Sequence, residues 1–247
     1  MTRAGGKPAS LVLRTGAMEA VAGSLLGVLF GMRHACEPDH LAAISTLVVE
    51  ERSARKGLLL GLVWGLGHTA ALFGVAVALT FLRAGLPARV ADAFELGVAL
   101  MLLALGGRAL ARAAREGSAG PRKLHAHGGT HHEHEAASRH VHLGRWTLAG
   151  RPLVVGIVHG LAGSGALTAV ALASLPSSGA RLAYVALFGF GSILGMAALS
   201  GLAGWPLAHL GRRPGATRAL AAATGLFSIG LGVFWGWPLV TRIVTAG

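Results

Sequence analysis

The chain has 247 residues, 53% of them hydrophobic and only 13% charged, about half the charged share of a soluble domain. That excludes disorder and argues against a water-soluble globule. The formal charge of +12 would suggest nucleic acid in a soluble chain. Here Lys and Arg fall between apolar runs with no aromatic-plus-basic stripe, which excludes nucleic acid and suits loops at lipid headgroups. The one cysteine, Cys36, excludes a disulfide scaffold and any CxxC or four-cysteine centre. The first apolar run lacks an A-x-A type site, so no cleaved leader is expected.

A membrane helix needs roughly 20 apolar residues. Six runs meet or approach this length, at 18–44, 57–82, 93–110, 153–175, 182–207 and 219–241. The expected fold is an all-α integral membrane protein with six transmembrane helices. It divides into an N-terminal tail (1–16), a three-helix repeat (17–111), a histidine-rich loop (112–151) and a second three-helix repeat (152–247).

The first run is interrupted by Arg33-His34-Ala35-Cys36-Glu37-Pro38-Asp39-His40. Ionisable groups inside a span default to function. Imidazole, thiolate and carboxylate together are ligands for a divalent transition metal. In a straight helix Asp39 would point about 140° away from His34. Pro38 has no N–H to bond the His34 carbonyl, so a broken first helix is expected, with that carbonyl freed. Arg33 either pairs with Glu37, four residues on, or snorkels to the interface. The second run adds one imidazole, His68, to an otherwise uncharged helix. The third carries Glu95 near its start.

The loop that follows holds His125, His127, His131, His132, His134, His140 and His142, a composition that fits weak metal capture. The fourth run contains His159, readable as a ligand, as a group orienting the ligands or as a packing histidine. Ser164, Thr168 and Ser192 line a path or tie helices together. His209, beside Arg212 and Arg213, is expected at an interface. Small residues recur every fourth position at Gly57, Gly61 and Gly65, at Gly191 and Gly195, and at Gly232 and Gly236. Such ladders let helices approach closely.

The loops after spans one, three and five hold 14 Lys/Arg, counting Arg108, against 7 for the other two loops and the termini. The positive-inside rule then puts the histidine loop in the cytoplasm and both termini outside. Gly31-Met-Arg-His34 returns as Gly156-Ile-Val-His159, 125 residues later. Trp64-Gly65-Leu66-Gly67-His68 is echoed by Phe188-Gly189-Phe190-Gly191-Ser192, 124 residues later. Three spans per half reverse the second half in the bilayer, so the two repeats are expected to be inverted, with the site at their interface.

His34-x4-Asp39-His40 followed by Leu41-Ala42-Ala43-Ile44, with Leu66-Gly67-His68-Thr69 one span later, resembles the nickel/cobalt transporter family (NiCoT, within NicO). The stretch from His159 to Gly165 is similar to its shorter urease-accessory-type members. The resemblance implies permeation of Ni2+ or Co2+ as substrate, with His34, Asp39, His40 and His68 essential to metal recognition and no organic cofactor. Cys36 and Pro38 depart from the uptake motif, and Glu37 stands where Asp is usual. The longer members have eight spans, and this chain is expected to lack their first. Cys36, Glu37 and His159 stand as further ligands or supporting groups.

The expected function is uptake of Ni2+ or Co2+ across a bacterial-type cytoplasmic membrane, not an enzymatic reaction. Efflux through the same site is one alternative. Metal delivery to urease or hydrogenase maturation proteins is another. A rhomboid-type hydrolase would need glycine where Ala162 stands and a later base better placed than His209. A zinc protease would need the absent H-E-x-x-H.

Overall fold

The computed structural model describes residues 25–51, 53–118, 147–175, 177–210 and 214–245. The N-terminal tail and all seven loop histidines lie outside the described residues. So do the side chains of Ser164, Thr168 and His209. Within these limits every regular element is helical: α1 over 25–34, α2 Pro38–Glu51, α3 Ala54–Leu82, α4 Ala88–Ser118, α5 Thr147–Ser174, α6 Ser178–Leu210 and α7 Pro214–Thr245. α3, α4, α6 and α7 are each long and apolar enough to cross a membrane. The fourth apolar run lies inside α5 up to Ser174, and the described part of the first is divided between α1 and α2.

Several helices outrun the apolar stretches that mark them. α4 continues to Ser118 and α5 starts at Thr147, eating into the expected loop from both sides. Hydropathy reads bilayer thickness, whereas Ala111-Arg112-Ala113-Ala114-Arg115 is a run of strong helix formers. α3 stops at Arg83, which takes a left-handed conformation (φ 50°) and returns its N–H to the Leu79 carbonyl.

α3 packs on both α6 and α5, α4 packs on α7, and α2 fits chiefly against α7. The glycine ladders make these contacts. A Cβ on Gly57 would sit 2.4 Å from the Ser200 carbonyl oxygen, and one on Gly61 2.3 Å from that of Met196, so α3 and α6 touch backbone to backbone. These pairs run in opposite sequence order, which makes α3 and α6 antiparallel. Gly191 and Gly195 do the same for α6 on α1, and Gly232 for α7 on α4, while Gly236 faces the Ala99 Cβ.

Two contacts recur in both halves. A Cβ on Gly31 would strike the Phe188 oxygen and Ser192 nitrogen, and one on Gly156 would strike the Trp64 oxygen and His68 nitrogen. Gly191 abuts the Val28 carbonyl, and Gly67 abuts that of Leu153. Gly195 lies on Met32 as Gly191 lies on Val28, and Gly160 on the His68 carbonyl as Gly156 on that of Trp64, so α1 runs parallel to α6 and α5 parallel to α3. Hydroxyls bridge helices as well: Thr69 donates to the Gly189 carbonyl (3.0 Å) and buried Ser228 to that of Leu102 (2.8 Å). Outside this close-packed interior the surface is apolar, with Phe81, Leu202, Trp205, Phe234 and Trp237 all exposed.

Candidate metal centre

The break between α1 and α2 shapes the site. The N–H groups of Cys36 and Glu37 turn back to the carbonyls of Arg33 (2.9 Å) and His34 (3.0 Å). The His34 carbonyl, expected to be freed by Pro38, is thus taken by a tighter turn. Such three-residue bonds are a common way to satisfy the last carbonyls of a helix. The Glu37 carbonyl accepts from Leu41 N–H (2.9 Å) and opens α2. Pro38 occupies the first helical position, where no N–H is needed. Asp39 follows in the first turn, where the helix dipole favours a carboxylate, and its Oδ1 accepts the His40 backbone N–H (2.8 Å).

The redirected chain brings His34, Asp39 and His40 onto His68 of α3 and His159 of α5. Ring centroids of His34 and His40 are 4.4 Å apart, those of His34 and His68 5.2 Å, and those of His40 and His159 4.3 Å. Two ligand triads result, His34/His40/His68 and Asp39/His40/His159, each with donor atoms within 4.8 Å of one another. Two nitrogens bound to one ion at about 2.1 Å lie no more than about 4.2 Å apart, so either triad is near ligand spacing. His40, His68 and His159 are almost fully buried, while His34 and Asp39 keep 13% exposure.

The two triads differ in their hydrogen bonds. Asp39 Oδ1 accepts from His40 Nδ1 (3.0 Å), and Oδ2 accepts from His159 Nε2 (2.9 Å). In the first triad His34 Nε2, His40 Nε2 and both nitrogens of His68 are buried without a partner, and in the second so is His159 Nδ1. Buried nitrogens left unpaired are costly, and this imidazole set suits a divalent transition metal.

A cavity of about 700 Å3 reaches the cluster. His34, Asp39, His40 and His159 line its inner part, and Glu95 of α4 and Arg242 near the end of α7 also line it. Arg242 pairs with Asp92 at 3.4 Å. Gly163 of α5 passes directly over the imidazoles: a Cβ there would lie 3.6 Å from His34 Nε2 and 3.7 Å from His68 Cε1.

Not every residue singled out in the sequence joins the cluster. The Cys36 thiol is exposed, 4.0 Å from the Met32 carbonyl oxygen, and belongs to neither triad. Glu37 is paired with His34 Nδ1 (3.1 Å) rather than with Arg33, because the turn breaks the helical i, i+4 relation between those two. Arg33 lines the cavity instead. Ser192 is buried and bonds the Phe188 carbonyl of its own helix (3.0 Å). One member was missed. Trp64 is fully buried, stacks on His40 at 5.5 Å and lies 5.7 Å from His159. Its signal was its place four residues before His68, which puts both on one helix face.

The family described as NicO, high-affinity nickel-transport protein, matches residues 21–208. The urease accessory protein UreH of Bacillus sp. (strain TB-90) is 28% identical over 220 residues, which cover 87% of this chain and 90% of that protein. No solved structure matches the chain.

Proposed function

The chain belongs to the NicO family of high-affinity nickel-transport proteins, and from that premise we propose that it carries Ni2+ or Co2+ into the cell. The observation that supports this best is the buried meeting of His34, His40 and His68, with Asp39 alongside, at the inner end of a cavity. His34, Asp39, His40 and His68 form the recognition site in this reading, and the Asp39 carboxylate offsets part of the ion's charge in a low-dielectric setting. Imidazole does not separate Ni2+ from Zn2+ or Cu2+ by affinity alone, so geometry must select the metal. Histidines 125–142 gather ions on the cytoplasmic side.

The reading extends to architecture. Six spans in a lipid bilayer form two inverted three-helix repeats. The recurring glycine contacts support this: 31 and 156 differ by 125, while their partners 188 and 64, and 192 and 68, differ by 124. The antiparallel pairing of α3 with α6 is what inversion requires. With positive loops inside, the exposed residues Glu95 and Arg242 of the cavity lie toward the exterior, the side from which uptake would load the site.

The test is flux into proteoliposomes. Purified protein moves Ni2+ or Co2+, and His40→Ala reduces the flux to the protein-free background. Unchanged flux in that variant would remove the site. The likeness to a urease accessory protein favours one second reading, metal delivery to a partner through the histidine loop. Deleting residues 122–142 separates the two, because a permease keeps residual flux and a loop-based donor loses its activity.

A further inference from the structure

Resting on the site proposed above, the geometry points to a division of labour inside it: Asp39 and His159 form a positioning pair, and the cation is held by His34, His40 and His68. An ionised carboxylate only accepts hydrogen bonds. The nitrogens that face Asp39, Nδ1 of His40 and Nε2 of His159, must therefore carry the protons of those bonds. A neutral imidazole with its proton on Nδ1 has its lone pair on Nε2. Asp39 thus fixes His40 in the form whose Nε2 is bare, and that atom is one of the buried nitrogens without a partner. His34 Nε2 and the His68 nitrogens are also buried without a partner; His159 Nδ1 is too, outside their triad. The three residues share one triad, and His159 belongs only to the other.

His159 acts through Asp39. It occupies Oδ2, so the carboxylate cannot rotate away from His40, and it stacks beside His40 at 4.3 Å between centroids. Carboxylate–imidazole–metal chains commonly set tautomer and ring orientation in this way, and losing the outer partner weakens metal binding about 10–100-fold. His159 is also where the second half of the chain supplies a side chain to the motif of the first.

The test uses full-length protein in detergent, with Co2+ as probe. The visible absorption of bound Co2+ is taken as the difference from His68→Ala, which cancels binding by histidines elsewhere. His159→Gln retains an N–H that can donate to Asp39, so it should keep both the wild-type band and near wild-type affinity. His159→Leu should weaken Co2+ about 10–100-fold and raise KM for flux, yet give the same band at saturation. A band altered in His159→Gln would make His159 a ligand and overturn the proposal, even if the leucine variant does not fold. Wild-type affinity in a folded His159→Leu would overturn it too. If His68→Ala leaves Co2+ absorption unchanged, the whole site falls, and the positioning pair with it.

Discussion

Replacing Gly156 by alanine tests whether the backbone contact of α5 on α3 holds the cluster together. The added Cβ would lie 2.1 Å from the Trp64 carbonyl oxygen and 2.9 Å from the His68 nitrogen. These are backbone atoms and cannot turn aside. Reaching ordinary contact at 3.4 Å moves the helices apart by about 1.3 Å. His159 sits one turn beyond Gly156, so the same shift displaces it relative to Asp39 of α2 and strains their 2.9 Å bond. Overpacking of this kind costs about 1–3 kcal/mol, against a gain of up to about 1 kcal/mol for alanine over glycine in a helix. Net destabilisation with strongly reduced Ni2+ flux is expected. Gly107→Ala is the control, since nothing lies within 4 Å of a Cβ there. Thermal melting in detergent and proteoliposome flux read both effects. A Gly156→Ala protein that melts and transports like wild type would refute the tight α3–α5 contact and the placement of His159.

Two further outcomes follow from the same contacts. Gly163→Ala meets nothing closer than 3.6 Å, so the protein should fold and melt normally. Its methyl group, however, crowds the space beside His34 Nε2 where an ion would sit about 2.1 Å away, and KM for Ni2+ should rise about tenfold or more; an unchanged KM would show that the ion lies elsewhere. Ser228→Ala removes a buried α7–α4 bond that involves no residue of the cluster, so melting should fall by the equivalent of about 0.5–1 kcal/mol while KM stays put.

What could be read in the sequence follows from which interactions are local. Apolar runs located the long helices because burial in lipid depends on composition alone. The glycine ladders marked helix contacts, since only a missing side chain allows backbones to touch at Gly57, Gly61 and Gly65. Pro38 announced the break in the first span. The path through that break was not legible. It depends on the Glu37 N–H reaching the His34 carbonyl, a bond the residue pattern does not dictate, and it is why Glu37 meets His34 and leaves Arg33. Trp64 was passed over because a tryptophan in an apolar helix reads as packing until His40 of another helix is seen stacked on it.

The two halves contribute unequally, and the inequality has a mechanical sense. By the repeat offset, the counterparts of Asp39, His40 and His68 are Ser164, Gly165 and Ser192, so of these groups the second half repeats only the His34 imidazole, as His159. All three proposed ligands therefore ride on α1, α2 and α3. α5 faces them with Gly156, Gly160 and Gly163, a surface smooth enough to slide. A cation bound by both halves would clamp them together, with several metal–ligand bonds to break at each transit. A link made of one hydrogen bond, worth about 1 kcal/mol, between His159 and Asp39 holds His40 in register while the site is open. In the proposed reading it is released when the repeats rock, and the Asp39 carboxylate that orients His40 is then free to turn. In the proposed reading binding and release are coupled because His159, which holds Asp39 beside His40, belongs to the opposite repeat.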